Sequence, residues 1–188
     1  MKKIWLDSYP EHVPSELSNP EFNSIQEIFR YASKKFSNSV AFNNLGSNLS
    51  FKKTALLSDK FSAYLSNVLK LKKGDKVALM LPNLLTFPVS FFGSLNIGAI
   101  VINVNPLFKS REVKSLLTDS GAETIIILDK FLNELKPILS ETKIKNVIVC
   151  RPSDLLSFPM SMIIRVLFLF KSKSQKISND YILFSDVI

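Results

Sequence analysis

The sequence predicts an α/β fold: an open, mostly parallel sheet flanked by helices. Two observations carry this. VALML (77–81), AIVINV (99–104), TIIIL (124–128) and NVIVC (146–150) are apolar runs without polar alternation, the pattern of strands covered on both faces. Between them lie segments of helical period, two of them closed by a glycine, and this alternation predicts right-handed crossovers.

Residues 1–23, rich in Pro, Ser, Asn and acidic residues, read as an extended lead-in that packs through Ile4, Trp5, Leu6 and Tyr9. Ile25, Ile28, Phe29, Ala32 and Phe36 then fall at helical spacing, with Ser24 and Glu27 as a capping box. Val40–Phe42 and Leu49–Phe51, separated by Asn43, Asn44 and Gly46, predict a small hairpin. Leu57, Phe61, Tyr64, Leu65 and Val68 form one stripe of the most clearly amphipathic helix. After the Lys73-Gly74-Asp75 turn and the first buried strand comes a helix that is apolar almost all round. It carries Phe87, Val89, Phe91, Phe92, Leu95 and Ile97, with Thr86 as its expected N-cap, Pro88 in its first turn and Gly98 as its stop. AIVINV reads as a second buried strand, and Asn105-Pro106 turns the chain. Helix 110–120 ends at Gly121, TIIIL is the third strand, and a short helix near 131–139 leads to the fourth, NVIVC. The rhythm then breaks. RPSDLLSFP resembles a linker, 160–176 is apolar and basic, and NDYILFSDVI trails off without a recognisable element, so the fold reads as incomplete. The expected division is a lead-in (1–23), a partial α/β domain (24–150) and a linker with an apolar-basic segment (151–188).

Composition narrows the function. The chain has 188 residues, 46% of them hydrophobic and 21% charged, enough for a sizeable core. Its start has too few apolar residues for a secretory signal, and its single cysteine, Cys150, forms neither an internal disulfide nor a CxxC motif, so a cytoplasmic protein is expected. The net charge of +8 is not organised for nucleic acid: no aromatic residues alternate with the basic ones as a base-stacking platform would require.

Chemical motifs are sparse. Gly93 and Gly98 have the spacing that opens a phosphate-binding Walker A loop, but Ala99 and Ile100 stand where Lys and Ser or Thr would be needed, and no GxGxxG occurs. Gly93 therefore reads as a close-packing point. His12, the sole histidine, has only neighbours in sequence as partners and reads as a surface residue. Cys150, beside Arg151, reads as an inert core thiol, and no carboxylate pair can be placed at a common site. No catalytic, cofactor-binding or metal-binding residue is therefore assigned. The 160–177 segment offers candidate membrane contacts at Ile163, Ile164, Arg165, Phe168, Phe170, Lys171 and Lys173. It is too short to span a bilayer. Arg165, Lys171, Lys173 and Lys176 would contribute roughly 4 kcal/mol on anionic lipid, which alone is millimolar affinity. A helix docked on other protein has the same pattern, and both readings stand.

Three stretches resemble one known family. MKKIWLDSYPEHVPSEL, LSFKKTALLSDKFSAYL and LKKGDKVALMLPNLLTFPVSFFGSLNIGAIVINVNPLFKSREVKSLLTDSGA are similar to the N-terminal region of bacterial long-chain fatty-acid CoA ligases, of the adenylate-forming, AMP-binding superfamily. Leu49, Ser50, Phe51 and Leu56 match an early motif of that superfamily, and Leu95, Gly98, Ala99, Asn105 and Pro106 a second; both are structural there. The resemblance implies a reaction in which ATP and a fatty acid give an acyl-adenylate and pyrophosphate, followed by attack of the coenzyme A thiol. It implies ATP, Mg2+ and CoA for the full-length family, and fatty acid and CoA as substrates; a homodimer and peripheral contact with the inner face of the membrane are further expectations. The phosphate loop with its lysine, the magnesium glutamate and the ribose aspartate of that family have no counterpart between Met1 and Ile188. The chain alone is expected to be inactive; the alternative is a membrane- or protein-interaction module kept from such a ligase.

Overall fold

The structure is a computed structural model that describes residues 3–16, 21–171 and 180–188. Its elements are α1 (Ile25–Lys35), β1 (Val40–Asn44), β2 (Ser47–Ser50), α2 (Phe51–Asn67), β3 (Lys76–Met80), α3 (Thr86–Asn96), β4 (Ile100–Asn103), α4 (Ser110–Ser120), β5 (Thr124–Leu128), α5 (Leu132–Leu135), β6 (Asn146–Cys150), α6 (Met160–Lys171) and β7 (Ile182–Leu183). The expected α/β fold is observed. A five-stranded parallel sheet has the order β4-β3-β5-β6-β7, and β1 with β2 form a separate antiparallel hairpin.

Strand residues alternate between two cores, as a period of two requires. Val77, Leu79, Ile126, Leu128, Ile148 and Cys150 face α2 and α3, meeting Leu57, Phe61, Leu65 and Val89. Ala78, Met80, Ile125, Ile127, Val147 and Val149 face the other way, onto Val113 and Leu117 of α4 and Leu132 and Leu135 of α5. β5, paired on both sides, is buried at all five positions.

Local signals explain the helix starts. Ser24 Oγ accepts from the Glu27 N–H (3.2 Å), while Glu27 accepts from the Asn23 N–H (2.8 Å). Ser50 Oγ accepts from the Lys53 N–H (3.1 Å) and caps α2, so Phe51 opens that helix instead of ending the hairpin. Leu45 (φ 49°) and Gly46 (φ 76°) make the two-residue hairpin turn, with both residues left-handed as that turn demands.

Several expectations are corrected. AIVINV is an edge strand: Ile100 is 51% exposed because β4 has a partner only in β3. The α2 stripe ends at Leu65; Val68 is 57% exposed where the helix leaves the sheet. In α3 the phenylalanines are not the most buried face. Val89, Ser90, Gly93 and Ser94 are buried, while Phe87, Phe91 and Phe92 are half-buried. The cause is the close approach of α2: a Cβ on Gly93 would lie 2.8 Å from Phe61 Cδ1 and 2.9 Å from the Ser58 carbonyl oxygen. Phe92 instead stacks on Phe29 of α1, with ring centroids 3.7 Å apart. Thr86 is the first residue of α3, and Leu85 is its N-cap. The lead-in forms a 3-10 turn at Ile4–Ser8 in which Ile4 (69%), Trp5 (51%) and Tyr9 (45%) stay exposed and only Leu6 of the four expected packing residues is half-buried. The final residues do not trail off, because β7 pairs in parallel with Ile148 and Val149 and the following turn buries Phe184 and Val187. A dipeptide strand carries too few residues to show a period.

Candidate functional site

In an open parallel sheet, ligands sit beyond the carboxyl ends of the strands, where the winding reverses. Here the chain runs from β3 out to β4 and then crosses to β5 on the other side of β3, so the reversal lies between β3 and β5. Pro82 and Asn83 follow β3 there, Asp129 and Lys130 follow β5, and Arg151 to Asp154 follow β6.

Asp129 and Asp154 form the charged centre of this edge. Burial raises the Asp129 carboxyl above its ordinary value, against the lowering effect of the Lys130 N–H (2.6 Å) and of Arg151. Burial likewise raises Asp154, opposed first by the Arg151 N–H (2.8 Å) and by the charges of Arg151 and Arg165, and reinforced by Asp129. Sequence reasoning did not place these two acids at one edge of the sheet; the charge of Asp129 raises Asp154, and that of Arg151 lowers both. The available signal was positional, since each acid falls shortly after an apolar strand of a parallel sheet.

The same edge is roofed by the hairpin. Asn44 Nδ2 donates to the Asn83 carbonyl (3.1 Å), and the Ser47 hydroxyl accepts from the Ser157 N–H (2.9 Å) and meets the Ser157 hydroxyl at 3.0 Å. Beneath the roof, burial pushes the Cys150 thiol well above its ordinary value, the Asp154 charge adds to this, and the Thr86 hydroxyl opposes it. Cys150 is fully buried, which disfavours the reactive thiolate. A cavity of about 410 Å³ lies at the opposite, amino end of the strands, lined by Lys70, Gly74, Asp75, Lys76, Thr124 and Asn146. Among the described residues no group of three His, Cys, Asp or Glu side chains could hold a metal ion.

Of the candidate membrane contacts, Ile163 is 46% exposed, Arg165 is exposed and Ile164 is half-buried, all on α6. The same helix runs through Phe168, Phe170 and Lys171, while Lys173 lies outside the described residues. His12 is exposed in the lead-in. The motif residues are structural in physical terms. Leu49 is buried, Ser50 caps α2, Ala99 is buried, and Asn105 Oδ1 accepts from the Leu107 N–H at 3.0 Å to close the turn after β4.

Comparison with known proteins agrees with this architecture. Residues 29–162 match the model of the AMP-binding enzyme family. A long-chain-fatty-acid–CoA ligase of Salmonella typhimurium is 45% identical over 157 residues, which are 84% of this chain and 28% of the ligase. The crystal structure of coronafacic acid ligase from Pectobacterium brasiliense superposes with a TM-score of 0.67 at 21% identity, covering 87% of this chain and 29% of that one. A long-chain-fatty-acid-CoA ligase from Archaeoglobus fulgidus gives a TM-score of 0.63 at 23% identity, covering 71% and 28%. The chain thus spans little more than a quarter of the length of the relatives it matches.

Proposed function

The chain belongs to the AMP-binding enzyme family, and from that premise we propose that it is the N-terminal scaffold portion of a long-chain fatty-acid CoA ligase, an enzyme that joins a fatty acid to coenzyme A at the expense of ATP. The observation that carries this reading is the 45% identity over 84% of the chain to the Salmonella ligase. The family match over residues 29–162 covers the hairpin and strands β3 to β6.

The residues present do not fit ATP or magnesium. At the carboxyl edge, where a nucleotide would lie, Asp129 and Asp154 are occupied by the Lys130 and Arg151 amides, and the hairpin closes over the strand ends. Burial raises both carboxyls above their ordinary values, which disfavours the ionised form a divalent cation needs. No step of the reaction is routed through these side chains. Their part is to position: the sheet, α2 and α3 form a rigid body on which catalytic loops of the rest of such a ligase would be mounted.

Two measurements test the proposal. The purified chain, given ATP, CoA and oleate, forms no oleoyl-CoA, and ATP does not raise its melting temperature; turnover by the chain itself would overturn the scaffold assignment. A chimaera in which this chain replaces the matching segment of the Salmonella ligase retains oleoyl-CoA synthesis. A chimaera that folds cooperatively yet makes no oleoyl-CoA would refute the ligase parentage.

A further inference from the structure

We propose that the cavity at the amino end of the sheet binds a small free polyphosphate anion of the size of pyrophosphate. The cavity has a volume of about 410 Å³, and β3, β5 and β6 open onto it through their first residues, Lys76, Thr124 and Asn146. Lys70, after α2, and Lys145, before β6, bring the lysines that line it to three. Lys76 Nζ donates to the Ser120 carbonyl and Lys145 is paired with Glu123 (2.7 Å), whereas Lys70 has no carboxylate partner among the described residues. On the floor, Thr124 is 1% exposed and its hydroxyl accepts from Asn146 Nδ2 (3.1 Å), but its own O–H finds no acceptor among the described residues. A buried donor without an acceptor, beneath a cation without a partner, is an arrangement that an anion completes.

The backbone of Lys70 supports the same reading. Its φ of 61° is left-handed, in the turn that ends α2, where the Leu71 N–H reaches back to the Leu65 carbonyl (3.0 Å). Glycine is the usual residue at such a position, because a side chain there is strained. A lysine gives up stability and sets an unpaired cation at the rim of the cavity, and strain of this kind concentrates at ligand sites. From Lys70 to Lys76 the chain carries four lysines and one acid, Asp75, whose carboxylate is engaged by the Lys72 N–H (2.7 Å). The lining chemistry selects the occupant. None of the large exposed apolar residues lines the cavity, so it lacks the apolar centre of a protein-docking surface. No aromatic side chain lines it either, so a nucleotide gains no stacking there, and ATP carrying Mg2+ presents a reduced charge. A free polyphosphate offers charge and acceptors alone, which are what the lysines and Thr124 can use.

The test is titration of the 188-residue chain with Mg2+-free inorganic pyrophosphate at constant ionic strength, followed by amide NMR shifts. Saturable shifts are expected at Lys70, Gly121, Thr124 and Asn146, with half-saturation at about 1 mM. Lys70→Gly relieves the left-handed strain, so it should melt no lower than the parent and yet bind pyrophosphate about fivefold more weakly. A role confined to ending the helix would leave binding unmoved. Lys34→Gln removes an exposed lysine of α1 that does not line the cavity, and should change binding by less than about twofold. No saturation up to about 20 mM would overturn the proposal. So would equal losses from Lys70→Gly and Lys34→Gln, the behaviour of diffuse attraction to a basic protein, and so would shifts centred away from the cavity. None of these outcomes bears on the ligase reading, which the chimaera tests separately.

Discussion

Gly93→Ala separates two forces with opposite signs. Considered as an isolated helix position, the substitution should stabilise by about 1 kcal/mol, because alanine is the better helix former. The structure requires the reverse. The new methyl would sit 2.8 Å from Phe61 Cδ1, 2.9 Å from the Ser58 carbonyl oxygen and 3.1 Å from Phe61 Cβ. Restoring ordinary contact separates α2 from α3 by about half an ångström or more. Phe61 is fully buried and the Ser58 oxygen is backbone, so no flexible side-chain end can yield alone. Overpacking of this kind costs about 2–3 kcal/mol, leaving a net loss of about 1–2 kcal/mol after the propensity gain. Urea unfolding followed by circular dichroism should show a lower midpoint at unchanged slope, and thermal melting a fall of about 2–8 °C. Phe61→Leu should couple favourably with Gly93→Ala in a double-mutant cycle, because it removes one of the two obstructions. A Gly93→Ala protein as stable as the parent, or more so, would refute the close-approach argument.

The acids at the carboxyl edge give a pH test. Burial raises Asp129 and Asp154 in the folded chain, so their contribution favours folding fully below the unfolded value of 3.8 and is lost as pH rises through the folded values. Asp154→Asn should therefore gain stability relative to the parent at neutral pH and lose that advantage below pH 3.8; a constant difference across urea titrations at both pH values would contradict it. Glu134 titrates in the opposite sense, because the Ser110 hydroxyl and N–H (both 2.9 Å) and Lys109 lower it. Its contribution is present above the unfolded value of 4.5 and fades as pH falls through the folded one, so Glu134→Gln should destabilise at neutral pH and matter less in acid. Phe184, fully buried with its ring 5.6 Å from that of Phe61, anchors the residues after β7. Phe184→Ala should cost about 3–5 kcal/mol in urea unfolding, and a cost under about 1 kcal/mol would mean that this segment does not contribute to the core.

Much of the fold was legible because its signals are local. Ser24 caps its helix through a bond three residues away, and VALML and TIIIL are apolar on both faces because strands at those positions are covered twice. The same reasoning failed at AIVINV, whose composition matches an interior strand although it lies at the edge; the number of neighbours a strand has is a property of the sheet. It failed at Ile4, Trp5 and Tyr9, where large apolar residues stay exposed. The placement of Asp129 and Asp154 at one edge was not legible because those residues are 25 positions apart and share that edge only through the parallel register of β5 and β6.

By itself the sequence determined the class of the fold, the Ser24 helix cap, the turn at Gly46, the family resemblance and the lack of a Walker A or GxGxxG pattern, since each is written in neighbouring residues or in a run of one period. Tertiary structure alone decided the order of the strands, the return of β7 to the sheet, the burial of serines beneath half-exposed phenylalanines on α3, and the exposure of one face of α6. These depend on which surfaces meet across long separations, and a helical or strand period says only that a residue has a face, not what lies opposite it.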